Sequence, residues 1–110
     1  MSMKHRAMID AELSKAKAKH PNFCKNFNSF PRTPSAILVV QFDLENIRGK
    51  VERNGRAVDI LKEEITEAVE AYLENRLPDC LVELAQCGAV VLRMMEFVQA
   101  EIDAKKGGAE

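Results

Sequence analysis

Two short segments of this 110-residue chain gather acidic side chains at spacings that could do chemistry. The first, Glu63-Glu64-Ile65-Thr66-Glu67, sets Glu64 and Glu67 three apart and Glu63 and Glu67 four apart. On a helix both spacings stack side chains on one face. The second segment carries Asp79, Glu83 and Gln86, each about one helical turn from the next. If the two segments are neighbouring antiparallel helices, their oxygens converge. Carboxylates that converge without equal basic charge repel one another, and a hard divalent cation with oxygen ligands is the usual way to make that arrangement favourable. Mg²⁺ or Mn²⁺ is the implied cation, and facing helices of a bundle are a known frame for such a site. A cation held there can neutralise phosphate oxygens and orient a water, while a spare carboxylate accepts that water's proton. The competing reading is a solvated face, because Glu is a strong helix former and Lys62 and Arg76 are at hand for ordinary surface pairs.

Arg93 lies seven residues after Gln86, on the same side of a helix, where it can reach phosphate oxygens or simply face solvent. His20, beside Pro21, is either a ligand contact from a loop or a capping and surface group. Phe23, Phe27 and Phe30 can stack on a base or pack their loop onto the helices. Cys24, Cys80 and Cys87 are odd in number and form no CxxC pair, so they indicate neither a disulfide framework nor a zinc knuckle. They read as reduced thiols, with Cys80 and Cys87 filling small gaps in a core.

The elements that must position these groups follow from apolar spacing. Met3 to Lys19 mixes Met8, Leu13 and several Ala with Lys and Glu, which predicts a first helix ended by Pro21. Asn22, Asn26, Asn28, Ser29, Pro31 and Pro34 mark a loop. Ser35 is the expected cap of a second helix carrying Ile37, Leu38, Val40, Leu44, Ile47 and Val51, although the β-branched start also allows a short strand. Asn54-Gly55 is a stop signal. A third helix over Ala57 to Asn75 has the clearest apolar stripe, and Asp79 is the expected cap of a fourth over Cys80 to Ala104. The short link between them suits a close antiparallel pair. The fourth helix is apolar on more than one face, which points to a second protomer as its cover.

Length predicts one domain, and the apolar spacing predicts that it is all-α, with four or five helices. Its parts are an N-terminal helix over 1–20, a Pro- and Asn-rich loop over 21–35, a helical core over 36–104 and a flexible tail over 105–110. With 16 basic and 17 acidic residues the net charge is −1, which gives no basic surface for a nucleic-acid polymer or a membrane. No apolar run approaches the roughly 20 residues of a membrane span, and Met1 to His20 lacks the apolar centre of a secretory signal. A cytoplasmic location is the resulting expectation.

The pattern EExxE, followed on the next helix by ExxD, resembles the MazG-like all-α nucleoside triphosphate pyrophosphohydrolases. In this chain it reads Glu63-Glu64-x-x-Glu67, fifteen intervening residues, then Glu83-Leu84-Ala85-Gln86, with CGAVVLRMMEFV continuing as an apolar helix. The resemblance covers roughly Gly55 to Val98. It implies a dimerised helical bundle that cleaves a nucleoside triphosphate or related nucleotide to the monophosphate and pyrophosphate with Mg²⁺. It also implies roles: Glu64, Glu67 and Glu83 as metal ligands, and Glu63 with Glu67 as the acids that serve catalysis. Gln86 stands where the family has Asp. An amide oxygen can coordinate the ion but brings no charge and cannot act as a base, so a non-catalytic scaffold serving self-association or partner binding is the alternative.

Overall fold

A computed structural model describes residues 3–108. Among them there are four α-helices and no strand: α1 (Met3–Lys19), α2 (Pro34–Asn54), α3 (Ala57–Leu73) and α4 (Leu77–Gly108). No helix is long and apolar enough to cross a membrane. The β-branched run Ile37 to Val40 lies inside α2. Its Val40 side chain is buried on the same stripe as Ala36 and Leu44, four residues apart in each direction.

The described residues group into two compact units. One unit contains Asn28–Val91, hence α2, α3 and the first half of α4. Gly55 and Arg56 alone separate α2 from α3, and the two helices pack along each other. Ion pairs from Arg48 back to Glu63 and Glu67 fix the α2–α3 hairpin as antiparallel. The second turn, over residues 74–76, is one residue longer. The Arg76 N–H donates to the Ala71 carbonyl at 2.8 Å, and the Asn75 N–H to that of Tyr72 at 3.0 Å. This pair of bonds around a left-handed residue closes α3 with a Schellman motif, and Asn75, at φ 59°, is that residue. Cys80 packs with Ala71 and Ala68, while Glu83 reaches Glu64 and Glu67, so α4 runs back along α3. Small residues at that contact let the two helices approach closely enough for their carboxylates to meet.

Two cap assignments differ from expectation. Thr33, not Ser35, caps α2: its hydroxyl accepts from the Ala36 N–H at 3.3 Å, which leaves Pro34 in the first turn where its missing N–H costs nothing. Asp79 does not cap α4, which begins at Leu77, and the Arg76 carbonyl already accepts from the Cys80 N–H at 2.9 Å. Asp79 instead accepts from Arg76 at 3.0 Å, and Arg76 also pairs with Glu74 at 2.8 Å. At the other end α4 continues through Lys105 and Lys106 to Gly108, while residues 109–110 of the expected tail lie outside the described residues. Extending a helix already formed needs no new nucleus, so two glycines do not by themselves end it.

The other unit joins the described residues up to Phe27 with those from Leu92 onward. His5 of α1 is buried to 4% exposure, and its Nδ1 has no hydrogen-bond partner among the described residues. The His20 N–H donates to the Ala16 carbonyl at 2.8 Å and closes α1 ahead of Pro21. An open cavity of about 860 Å³ lies against this end of α1, lined by Leu13, Lys17, His20, Phe23 and Cys24 among others.

A candidate divalent-cation centre on the paired helices

The acids of the two segments do meet. One carboxylate oxygen from each of Glu64, Glu67 and Glu83 lies within 4.8 Å of the others, and all three side chains are half-buried. Glu64 and Glu67 come from adjacent turns of α3, and Glu83 from α4 directly opposite. Oxygens that share one Mg²⁺ at its usual bond length stand about 3 to 4.2 Å apart, so the three side chains need only a small adjustment to hold the ion.

The electrostatics of the cluster express its crowding. Burial raises the Glu64 carboxyl above the ordinary carboxylate range, repulsion from Glu67 and Glu63 raises it further, and a hydrogen bond with Glu83 partly offsets both. Glu67 is raised by burial, then by its hydrogen bond with Glu83 and that residue's charge, and Arg48 opposes the rise. Both groups therefore sit in surroundings that disfavour their charged form, and both would gain from a bound cation.

Two further residues complete the arrangement. Gln86 belongs to it: with its amide nitrogen inward it donates to Glu83 Oε2 and to Glu64 Oε2, at 2.9 Å each. Turned over, the same amide would present an oxygen to the space between them, so the donor set of three carboxylates and one amide oxygen fits a hard cation. Arg48 was not singled out by sequence. From α2 its Nε lies 3.5 Å from Glu63 Oε2, and its terminal nitrogen lies 3.4 Å from Glu67 Oε1. The arginine lies two turns before the Asn54-Gly55 stop, and folding the hairpin in register would have placed it opposite Glu63 and Glu67. Glu63 thus stands at the edge of the cluster, held by the guanidinium. Asp79 is drawn to Arg76, away from the role its spacing suggested.

Arg93 is exposed and belongs to the unit that starts at Leu92. His20 and Cys24 line the cavity beside α1. All three phenylalanines are exposed, Phe23 at 92%, Phe27 at 43% and Phe30 at 40%, and Phe23 lines the same cavity. Cys80 and Cys87 are buried free thiols, as expected of gap-fillers, and burial raises both pKa values with help from nearby glutamates. Comparison of the chain with known protein families, with curated proteins and with solved structures finds no match.

Proposed function

We propose that the chain is a Mg²⁺-dependent nucleotide pyrophosphohydrolase of MazG-like type, acting on a nucleoside triphosphate or related nucleotide and releasing the monophosphate and pyrophosphate. The observation that carries this reading is the convergence of Glu64, Glu67 and Glu83 from facing helices within 4.8 Å. Glu64, Glu67 and Glu83 would hold the ion, with the Gln86 amide oxygen as a fourth, uncharged donor; Mn²⁺ suits the same set. When bound, the ion supplies charge neutralisation at the phosphate oxygens. Glu63, anchored by Arg48, takes the proton of a water that attacks the α-phosphorus while the bond to the bridging oxygen breaks and pyrophosphate leaves. The reading includes a homo-oligomer and a cytoplasmic location.

A second reading has its own support. Gln86 brings no charge, and its amide can satisfy Glu64 and Glu83 without any cation, while Arg48 partly neutralises Glu67. On that reading the chain is a catalytically inert helical scaffold. The discriminating experiment is pyrophosphate release across a panel of common and modified nucleotides with Mg²⁺, in the wild type and in Glu67→Gln. The enzymatic reading expects turnover in the first and its loss in the second, with the helical circular dichroism unchanged. Equal release by both proteins would remove it.

A further inference from the structure

The buried stripe of α2 ends in a charge. Ala36, Val40 and Leu44 follow one another every four residues and are all buried, and the next position of that repeat is Arg48. An aliphatic residue there would continue the stripe. The guanidinium instead stands beside Glu63 and Glu67, and among the described residues it is the only basic group in ion-pair contact with the acids of the candidate centre. Its hold on them is loose. Nε lies 3.5 Å from Glu63 and Nη2 lies 3.4 Å from Glu67, whereas a charge-assisted N–H···O bond is ordinarily about 2.7–2.9 Å long. The Arg48 side chain is 49% exposed, and its other terminal nitrogen, Nη1, meets no acceptor among the described residues. An ion pair so exposed adds little to stability, so holding the hairpin in register is a weak reason for a charge in that stripe.

We propose that Arg48 is a phosphate-binding residue of the candidate centre, donating to non-bridging oxygens of a nucleoside triphosphate and of the pyrophosphate released from it. The inference rests on the proposed function and adds to it the group that meets the substrate's own charge. Glu63, Glu64, Glu67 and Glu83 bring four negative charges when ionised, and a divalent cation cancels two of them. A polyphosphate entering that field is repelled unless a further positive group faces it. Arg93, which the sequence offers for this role, belongs to the other unit; Arg48 belongs to the unit that carries the acids and touches two of them. Its chemistry fits. A guanidinium stays charged at any working pH and presents a planar fork of donors to two oxygens of one phosphate. With Nη1 free and Nη2 only loosely engaged, one edge of that fork is open, and Glu63 and Glu67 aim it without using it up.

Two calorimetric titrations of the full chain test this, and they are expected to move in opposite directions. Taking a positive charge away from the acids favours a cation and disfavours a phosphate. Chelator-treated Arg48→Gln is therefore expected to bind Mn²⁺ at least as tightly as the wild type. Its affinity for inorganic pyrophosphate, measured with Mn²⁺ at saturation against a protein-free blank, is expected to fall ~10-fold or more, as for loss of a charge-assisted hydrogen bond. Arg48→Lys keeps the charge without the fork and is expected to fall between the two. A residue that only sets the hairpin register would behave otherwise, since Arg48→Gln would then lower Tm and weaken both titrations together. That result, an unchanged pyrophosphate affinity in the folded variant, or a wild type that binds Mn²⁺ but no pyrophosphate would overturn the inference alone. If Arg48→Gln unfolds the chain, Arg48→Lys decides, and a pyrophosphate affinity equal to the wild type's would overturn it. A wild type that takes up no Mn²⁺ would instead remove the proposed function, and this inference with it.

Discussion

At the residue level, the position that decides the chemistry is Gln86. Three carboxylates present a strongly anionic pocket; an amide in the fourth position adds no further charge and, nitrogen-inward, can donate to two of the three. Binding a cation then requires the amide to turn over and two hydrogen bonds to be given up, which weakens the site relative to one with a fourth carboxylate. Gln86→Asp is accordingly expected to tighten Mg²⁺ binding or raise turnover, and no change in either would place Gln86 outside the ligand set. The spacing of Glu64, Glu67, Glu83 and Gln86 made this group legible in the sequence, because helical periodicity determines which side chains share a face. Arg48 was not legible for the opposite reason: its partners Glu63 and Glu67 lie on another helix, and only the register of the α2–α3 hairpin brings them within reach.

At the level of elements, the cluster depends on how α3 hands over to α4. Glu83 meets Glu64 and Glu67 only because the connection reverses the chain within a few residues, with Asn75 in a left-handed conformation. Asn75→Ala is expected to destabilise the fold by about 1 kcal/mol, the cost of that conformation for a residue with a Cβ and no compensating side chain, while Asn75→Gly is expected to be near neutral. Thermal melts of the two variants check this, and equal losses would mean that the backbone conformation is not the cause. The four helices and the antiparallel pair were readable from apolar spacing, Pro21 and Gly55. Their ends were less so, because caps are chosen by backbone geometry among several eligible neighbours. Thr33 and Ser35 both offer a hydroxyl, and only Thr33 has the extended conformation that aims it at the Ala36 N–H. Pro78 is at home inside the first turn of α4, where its missing N–H has no partner to lose, and so the helix starts at Leu77, earlier than its apolar pattern.

At the level of the whole molecule, the acidic centre should make itself felt in stability. The folded state raises the pKa of Glu64 and Glu67 above the ordinary carboxylate value. A raised folded value means that the fold binds these protons more tightly than the unfolded chain. The resulting stability is intact below the ordinary carboxylate range and is lost as pH rises through the raised values. In chelator-treated protein Tm is therefore expected to fall over that interval, and Glu64→Gln, which removes one titrating group, should flatten the fall; an identical profile in the variant would show that the cluster is not its source. A divalent cation offers the reverse, since it binds the ionised carboxylates and favours the folded state in proportion to its affinity. The most direct test of the account is thus isothermal titration of the chelator-treated chain with Mn²⁺ at neutral pH, run in parallel on Glu67→Gln. The account predicts uptake of one ion per chain by the wild type and its loss in the variant, whereas a wild type that takes up none, or a variant that binds equally well, would contradict it.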